Sequence, residues 1–155
     1  MRLPLLVAAV MLTAGLVGPS DALTVSDEQG RVRWQVPVAE GTSVVLQYTN
    51  SIYLAPTWER FVVRAGRLHL VDVNSTREAV LEYHRLAPPY RVEEGRLVAP
   101  VSGVVLDGYV LRIGPLGSPT LQVGSRTLPL YTAGVGAALR IAIRRAPRLA
   151  AWLHR

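Results

Sequence analysis

The chain of 155 residues contains no cysteine, which excludes thiolate metal sites, thiol catalysis and disulfide bonds. It also contains no lysine, so all 17 basic residues are arginine. Charged residues make up only 18% of the chain and hydrophobic residues make up 50%, a composition that excludes an intrinsically disordered protein. The length excludes a barrel enzyme or a doubly wound nucleotide-binding fold of usual size.

The N-terminus has the three-part layout of a secretory signal peptide. A short positive start precedes an apolar run from Leu3 to Val17, and small residues lie before a cleavage site after Ala22. The apolar run is shorter than the roughly 20 residues that span a bilayer comfortably. We therefore expect residues 1–22 to be a signal peptide and residues 23–155 to form a single exported β domain, in the periplasm or outside the cell. An uncleaved segment would instead anchor the chain to the membrane.

Apolar side chains alternate with polar ones in short segments that glycine and proline interrupt, and this pattern predicts β-strands. The dipeptides Ala65-Gly66, Glu94-Gly95 and Gly124-Ser125 predict tight hairpins between them. The spacing predicts an all-β fold, a single antiparallel β-sandwich or small barrel of about nine to ten short strands. The segment Arg77–Leu86 suits either a strand or a short helix, and we interpret it as a strand.

The segment Tyr48–Phe61 combines a strand end, a proline and an aromatic residue beside an acid. Asn50 and Ser51 can hold the backbone at a strand end, and Pro56 argues against a central strand there. The segment suits a corner between sheets or a polar and aromatic binding lip, and residue chemistry favours the corner. If it forms a binding site, the ligand-binding residues are Asn50, Ser51, Trp58 and Glu59.

Two enzymatic alternatives stay open. A hydrolase would use Ser51 as nucleophile, although no serine lies in a Gly-x-Ser-x-Gly motif. A metal-dependent enzyme would use Glu82 and His84, which share a face if their segment is a strand, together with Asp72 from a neighbouring strand. Solvated strand residues explain the same pattern more simply, so we expect no enzyme activity, no cofactor and no metal.

The net charge of +6 is concentrated between Arg140 and Arg155. A charged outer face of an antiparallel sheet is the default explanation. The alternative is a surface that binds anionic headgroups, with Trp152 in the interface. Because an exported protein meets headgroups before nucleic acid, we expect no nucleic-acid partner.

The run Tyr48–Ile52, followed by Pro56 and Glu59, resembles the motif of a bacterial family of exported proteins, the domain-of-unknown-function family eighteen-fifty. Asn50 stands where the family pattern has a histidine, and the run from Leu111 to Pro147 resembles the family's C-terminal part. Members are often encoded beside TRAP-type transporters of the TAXI subclass. We interpret the chain as an exported, non-enzymatic accessory or binding domain, and the resemblance implies a TAXI-type TRAP transporter or its solute receptor as partner. The replaced histidine weakens any catalytic or metal role at Asn50.

Overall fold

A computed structural model describes residues 19–147, so the predicted apolar run Leu3–Val17 and the arginine-rich end Arg148–Arg155 lie outside the described residues. Strands dominate the described part, which confirms the all-β prediction. The strands are β1 (Pro19–Ser26), β2 (Val32–Pro37), β3 (Ser43–Asn50), β4 (Ala55–Arg64), β5 (Arg67–Ser75), β6 (Arg91–Glu93), β7 (Arg96–Pro100), β8 (Val105–Leu106), β9 (Tyr109–Arg112), β10 (Thr120–Val123), β11 (Arg126–Leu128) and β12 (Ala138–Pro147).

The strands form two antiparallel sheets. The small sheet has the order β2-β1-β12-β9, and the large sheet has the order β11-β10-β3-β4-β5-β7-β6 with β8 paired to β5. Strands β1 and β12 pair along their whole length, with Pro19 opposite Pro147, so the two ends of the described chain lie side by side. The first and last strands of the described chain therefore pair at the centre of the small sheet.

The three predicted hairpins are confirmed. Ala65-Gly66 joins β4 to β5, Glu94-Gly95 joins β6 to β7, and Gly124-Ser125 joins β10 to β11. Ala65 and Gly66 both have positive φ, 49° and 69°, as the two central residues of a type I′ hairpin turn require. This local turn chemistry fixes the strand pairs on which the large sheet is built.

The two sheets share one hydrophobic core. Leu46, Phe61 and Leu121 of the large sheet pack in the same buried cluster as Leu23 and Leu139 of the small sheet. Along β4 the buried positions alternate with more exposed ones, so every second side chain enters this core. Burial of so many aliphatic side chains, at about 1.5–3 kcal/mol each, stabilises the sandwich without disulfide bonds.

The prediction of a strand at Arg77–Leu86 is wrong, because Glu78–Tyr83 forms a short helix, α1. Val80 and Leu81 are adjacent and both fully buried, which the alternating faces of a strand do not allow against one core. Leu81 packs against Val73 of β5. The backbone groups of a helical turn form hydrogen bonds within the turn, so this segment needs no partner strand. A 3₁₀-helix, Leu130–Ala133, precedes β12.

The predicted cleavage site after Ala22 falls in the middle of β1. Ala22 and Leu23 are both fully buried, and Ala22 pairs with Pro37 on one side and Arg144 on the other. Cleavage there would remove the first half of a strand that lies between two neighbours. The signal peptide itself stays a prediction. Between residues 19 and 147 no helix is long and apolar enough to cross a membrane.

Candidate functional site

The segment Tyr48–Phe61 is a hairpin within the large sheet, not a corner between sheets. Strands β3 and β4 pair from Ser43 opposite Val62 to Asn50 opposite Ala55. Pro56 lies in β4, although β4 is flanked by β3 and β5. It is tolerated because pairing with β5 begins only at Thr57, so the missing N–H of Pro56 removes no bond to that strand.

Trp58 and Glu59 lie on opposite faces of β4, so the structure does not unite the four predicted binding residues. Glu59 occupies a core-facing position of the strand, whereas Trp58 occupies an outer one. Neighbouring residues in a strand necessarily point to opposite faces. The expected single binding lip is therefore divided between the interior, the β3–β4 turn and the outer face of the sheet.

Glu59 lies inside the sandwich in a cluster of polar side chains from four elements. The Tyr48 hydroxyl of β3 donates to Glu59 Oε1 at 2.8 Å, and the Tyr109 hydroxyl of β9 donates to the same oxygen at 3.4 Å. His84, which follows α1, places Nε2 at 3.1 Å from the Tyr48 hydroxyl oxygen. Glu59 is only 4% exposed. The interior acid is thus held by tyrosine hydroxyls.

Burial dominates the acid–base properties of this cluster. It raises the pKa of Glu59 above its ordinary value of 4.5, against the opposing effects of the Tyr48 hydrogen bond, the His84 charge and the Tyr109 hydrogen bond. Burial, then the charge of Glu59, raise the pKa of Tyr48 and of Tyr109. Both phenols therefore stay protonated and act as donors, while the Glu59 carboxyl is the group that can take up a proton.

Asn50 and Ser51 lie at the β3–β4 turn. Asn50 Oδ1 accepts hydrogen bonds from the backbone N–H groups of Ile52 and Tyr53, at 3.0 and 3.1 Å, which confirms its predicted role in holding the strand end. Ser51 is exposed. Both residues line a cavity of about 230 Å³, together with Tyr83 and other residues. Because the side-chain oxygen of Asn50 already accepts two hydrogen bonds within the turn, the main role of Asn50 is structural.

The residues of the enzymatic alternatives do not converge. Asp72 is fully buried and forms an ion pair with Arg60 on the outer side of the sheet, whereas His84 reaches the interior cluster. Glu82 is exposed on α1. Within residues 19–147, Ser51 makes no side-chain hydrogen bond to a histidine, and no group of three histidine or acidic side chains is arranged to hold a metal ion.

Polar side chains cover the outer face of the large sheet in a continuous row. Thr120, Gln47, Trp58 and Asn74 lie directly opposite one another on β10, β3, β4 and β5. We call them the polar row. At a strand spacing of about 4.8 Å, the row is about 14 Å long. The remaining outer-face neighbours include Gln122, Thr127 and Val98, on β10, β11 and β7.

The polar row forms the floor of a cavity of about 420 Å³, which we call the outer groove. The β6–β7 hairpin contributes Glu93, Glu94 and Arg96 to one end of the groove. The Arg96 guanidinium carbon lies 4.6 Å from the centre of the Trp58 ring, within the range of a cation–π contact.

The charges of the outer groove are paired among themselves. Arg60 Nε donates to both carboxylate oxygens of Asp72, at 2.7 and 2.8 Å. Arg96 and Glu94 approach to 2.6 Å. Glu93 lies 3.4 Å from its β6 neighbour Arg91. The hydrogen bonds that Arg60 donates to Asp72 raise the pKa of Arg60, which stays charged.

One neutral group of the groove is left without a partner. Asn74 is 5% exposed, and its Nδ2 donates to Asp72 Oδ1 at 3.1 Å. No described residue donates a hydrogen bond to Asn74 Oδ1, although that oxygen is buried. Buried acceptors in folded proteins are almost always paired with protein groups or with ordered water, so this oxygen beside the groove is a position that a water or a ligand donor can occupy.

The sequence interpretation found only Trp58 among the residues of the outer groove. Alternation along β4 could have placed Arg60 on the same face as Trp58. The other members come from strands whose mutual register is set by long-range pairing, which no local pattern encodes.

Comparison with protein-family models, with curated proteins and with solved structures finds no match for this chain. The resemblance to the exported family of unknown function therefore stays a prediction.

Proposed function

We propose that this chain is a non-enzymatic binding domain whose ligand occupies the outer groove. The observation that carries the proposal is the unpaired Oδ1 of Asn74, buried beside Trp58. A buried acceptor without a partner costs about 1–3 kcal/mol, and a ligand that donates to it recovers that cost. The groove volume of about 420 Å³ falls within the range of small-molecule sites.

The non-enzymatic part of the proposal is supported by the way the acids are engaged. Glu59 is held inside the sandwich by two tyrosine hydroxyls, and Asp72 is held by Arg60. A general acid or base must reach a substrate proton directly or through one water. Neither acid combines an open position with a neighbouring nucleophile, so binding explains the groove better than hydrolysis or metal catalysis.

The motif resemblance adds a partner to the proposal, a TAXI-type TRAP transporter or its solute receptor, in the periplasm or outside the cell. The accessory role then consists of presenting or sensing the ligand of the outer groove. We expect the chain to co-purify with the transporter when both are produced together from their own operon. A genome that encodes no such transporter near this chain would contradict the partner and leave the binding function untouched.

The binding function is tested by screening a chemically diverse fragment library against isotope-labelled protein by NMR. We expect fragments to shift the indole signal of Trp58 and the side-chain amide signals of Asn74 and Gln47. The variant Trp58→Ala should lose these binders, whereas Arg33→Ala on the small sheet should keep them. Binders that all perturb other surfaces, or a screen without binders, would refute the proposal.

A second candidate function, binding of anionic headgroups, is favoured by the outer face of the small sheet. Arg140, Arg144 and Arg145 line a cavity of about 590 Å³ there, and no acidic side chain among residues 20–145 forms an ion pair with them. The two acids of the same cavity, Asp27 and Glu28, pair with Arg31 and Arg112 instead. The Nε2 of Gln35, which lines the same cavity, is buried without an acceptor. Arginines and an unused amide donor suit a phosphate group.

This candidate is tested by sedimentation with vesicles that contain phosphatidylglycerol or only phosphatidylcholine. We expect binding to the anionic vesicles only and a loss of binding in the double variant Arg140→Glu/Arg144→Glu. The double variant Arg64→Glu/Arg126→Glu, which makes the same charge change at exposed positions of the large sheet, should show no loss. Equal loss in both would show a general charge effect and would refute a site at the small sheet.

A further inference from the structure

The chemical class of the ligand can be inferred from the groups that the outer groove leaves free. This step rests on the proposed binding function. We infer that the groove takes a neutral, polyhydroxylated ligand, a saccharide of one or two rings. Three observations support this class: the paired charges, the hydrogen-bonding groups of the polar row, and the aromatic side chain at its centre.

The charges argue against an ionic ligand. Arg60 forms an ion pair with Asp72, and Arg96 forms one with Glu94. Glu93 lies near Arg91. A carboxylate or ammonium group of a ligand would have to compete with one of these internal pairs. A neutral ligand needs none of these charges and uses the neutral polar groups between them.

The hydrogen-bonding groups of the polar row match hydroxyl groups. Asn74 Oδ1 requires a donor, since its own amide nitrogen is already used on Asp72. Gln47 is exposed, and its side chain makes no hydrogen bond to the described residues, so it offers both a donor and an acceptor. Thr120 and Thr127 line the same groove with hydroxyl groups. A hydroxyl both donates and accepts, so adjacent hydroxyls of one ring can serve Asn74 and Gln47 together.

Trp58 provides the apolar surface that such a ligand needs. The C–H face of a pyranose ring packs on an indole, and Trp58 lies between Gln47 and Asn74 in the polar row. The Arg96 guanidinium lies over the indole, and this cation–π contact is weak because it is partly exposed. In the proposed complex the ligand replaces Arg96 on the ring, and its hydroxyl donates to Asn74 Oδ1. Arg96 is therefore a competitor of the ligand and not its partner.

The test is a binding titration of the full chain with three pyranoses of matched shape, the neutral glucose, the cationic glucosamine and the anionic glucuronate, together with a panel of neutral hexoses, N-acetylhexosamines and disaccharides. We expect a neutral sugar to bind and to shift the Trp58 indole signal. Its charged counterpart should bind more weakly. Tighter binding of a charged counterpart would overturn the inference.

Variants assign the binding to the groove. We expect Asn74→Ala to weaken the affinity at least tenfold, and Gln47→Ala, at an exposed position that does not affect folding, to weaken it severalfold. The variant Gln29→Ala removes an amide in the turn between β1 and β2, far from the groove in the other sheet, and should leave affinity unchanged. Arg96→Ala should keep or increase affinity, and a tenfold loss would mark an anionic ligand and overturn the inference.

The outcome separates the two proposals. If fragments bind in the groove but no neutral sugar does, the binding function stands and the saccharide class is wrong. If a sugar binds but Asn74→Ala and Gln47→Ala both leave its affinity unchanged, the sugar lies elsewhere and the inference fails. If neither fragments nor sugars bind in the groove, both proposals fail together.

Discussion

The substitution Tyr48→Phe tests whether the interior cluster stabilises the fold. It removes the hydroxyl that donates to Glu59 at 2.8 Å and keeps the ring that packs in the core. Because no cavity is created, the loss reflects the hydrogen bond to a carboxyl that is 4% exposed. At a pH above the raised pKa of Glu59 the carboxyl is charged, and hydrogen bonds to charged groups contribute about 1.5–3 kcal/mol, so we expect the free energy of unfolding to fall there by about 2 kcal/mol.

The matched control is Tyr109→Phe, whose hydroxyl donates to the same Glu59 oxygen at 3.4 Å. A bond at the limit of hydrogen-bonding distance contributes less, so we expect a loss of about 0.5–1 kcal/mol. Urea unfolding followed by circular dichroism measures both variants, with the m-value as a check that the transition is unchanged. If Tyr109→Phe costs as much as Tyr48→Phe, or if Tyr48→Phe costs less than about 0.5 kcal/mol, the cluster does not stabilise the fold in this way.

Three further predictions follow from buried charge and backbone geometry. Because burial raises the pKa of Glu59, the protonated carboxyl is favoured in the fold, so its stabilisation is complete below pH 4.5 and is lost as the pH rises through the raised pKa. Glu59→Gln should therefore gain stability relative to the parent chain as the pH is raised from 4 to 8 in thermal melts, and a constant difference would contradict the raised pKa. Arg60→Ala leaves buried Asp72 without its partner and should lower the free energy of unfolding in urea by about 2–3 kcal/mol. This is less than for a fully buried pair, because the Arg60 side chain is 43% exposed. A loss under about 0.5 kcal/mol would show that solvent replaces the pair. Gly117→Ala places a Cβ at 2.9 Å from a backbone oxygen at a φ of 112°, whereas Gly124→Ala at a φ of 56° has nothing within 4 Å. Gly117→Ala should lower the free energy of unfolding by at least about 1 kcal/mol more than Gly124→Ala in the same assay, because its Cβ adds a clash. Equal losses would show that the loop moves freely.

Local chemistry explains the parts of the fold that were predicted correctly. The turn at Ala65-Gly66 and the role of Asn50 at its strand end depend on residues within three positions of each other, so the sequence contains the whole cause. Arg77–Leu86 was predicted wrongly because the spacing of its apolar residues suits both the period of a strand and the period of a helix. Only the buried position of Leu81 against β5 decides for the helix.

The candidate site was predictable only in part, for a reason of geometry. Alternation is enough to separate Trp58 from Glu59, because adjacent strand residues face opposite ways. It does not reveal that Asn74 pairs with Trp58, or that Tyr109 approaches Glu59 across the sandwich. Those contacts depend on strand register and on the packing of the two sheets.

Composition and neighbouring residues are enough to predict the all-β class, the three tight hairpins and the absence of thiol chemistry. Long-range packing divides the polar segment between two faces, places Ala22 within a central strand, and buries Asn74 Oδ1 without a donor among the described residues. Register and burial arise from pairing between residues far apart in the chain. A pattern of period two fixes which face a side chain takes, but not which side chains meet there.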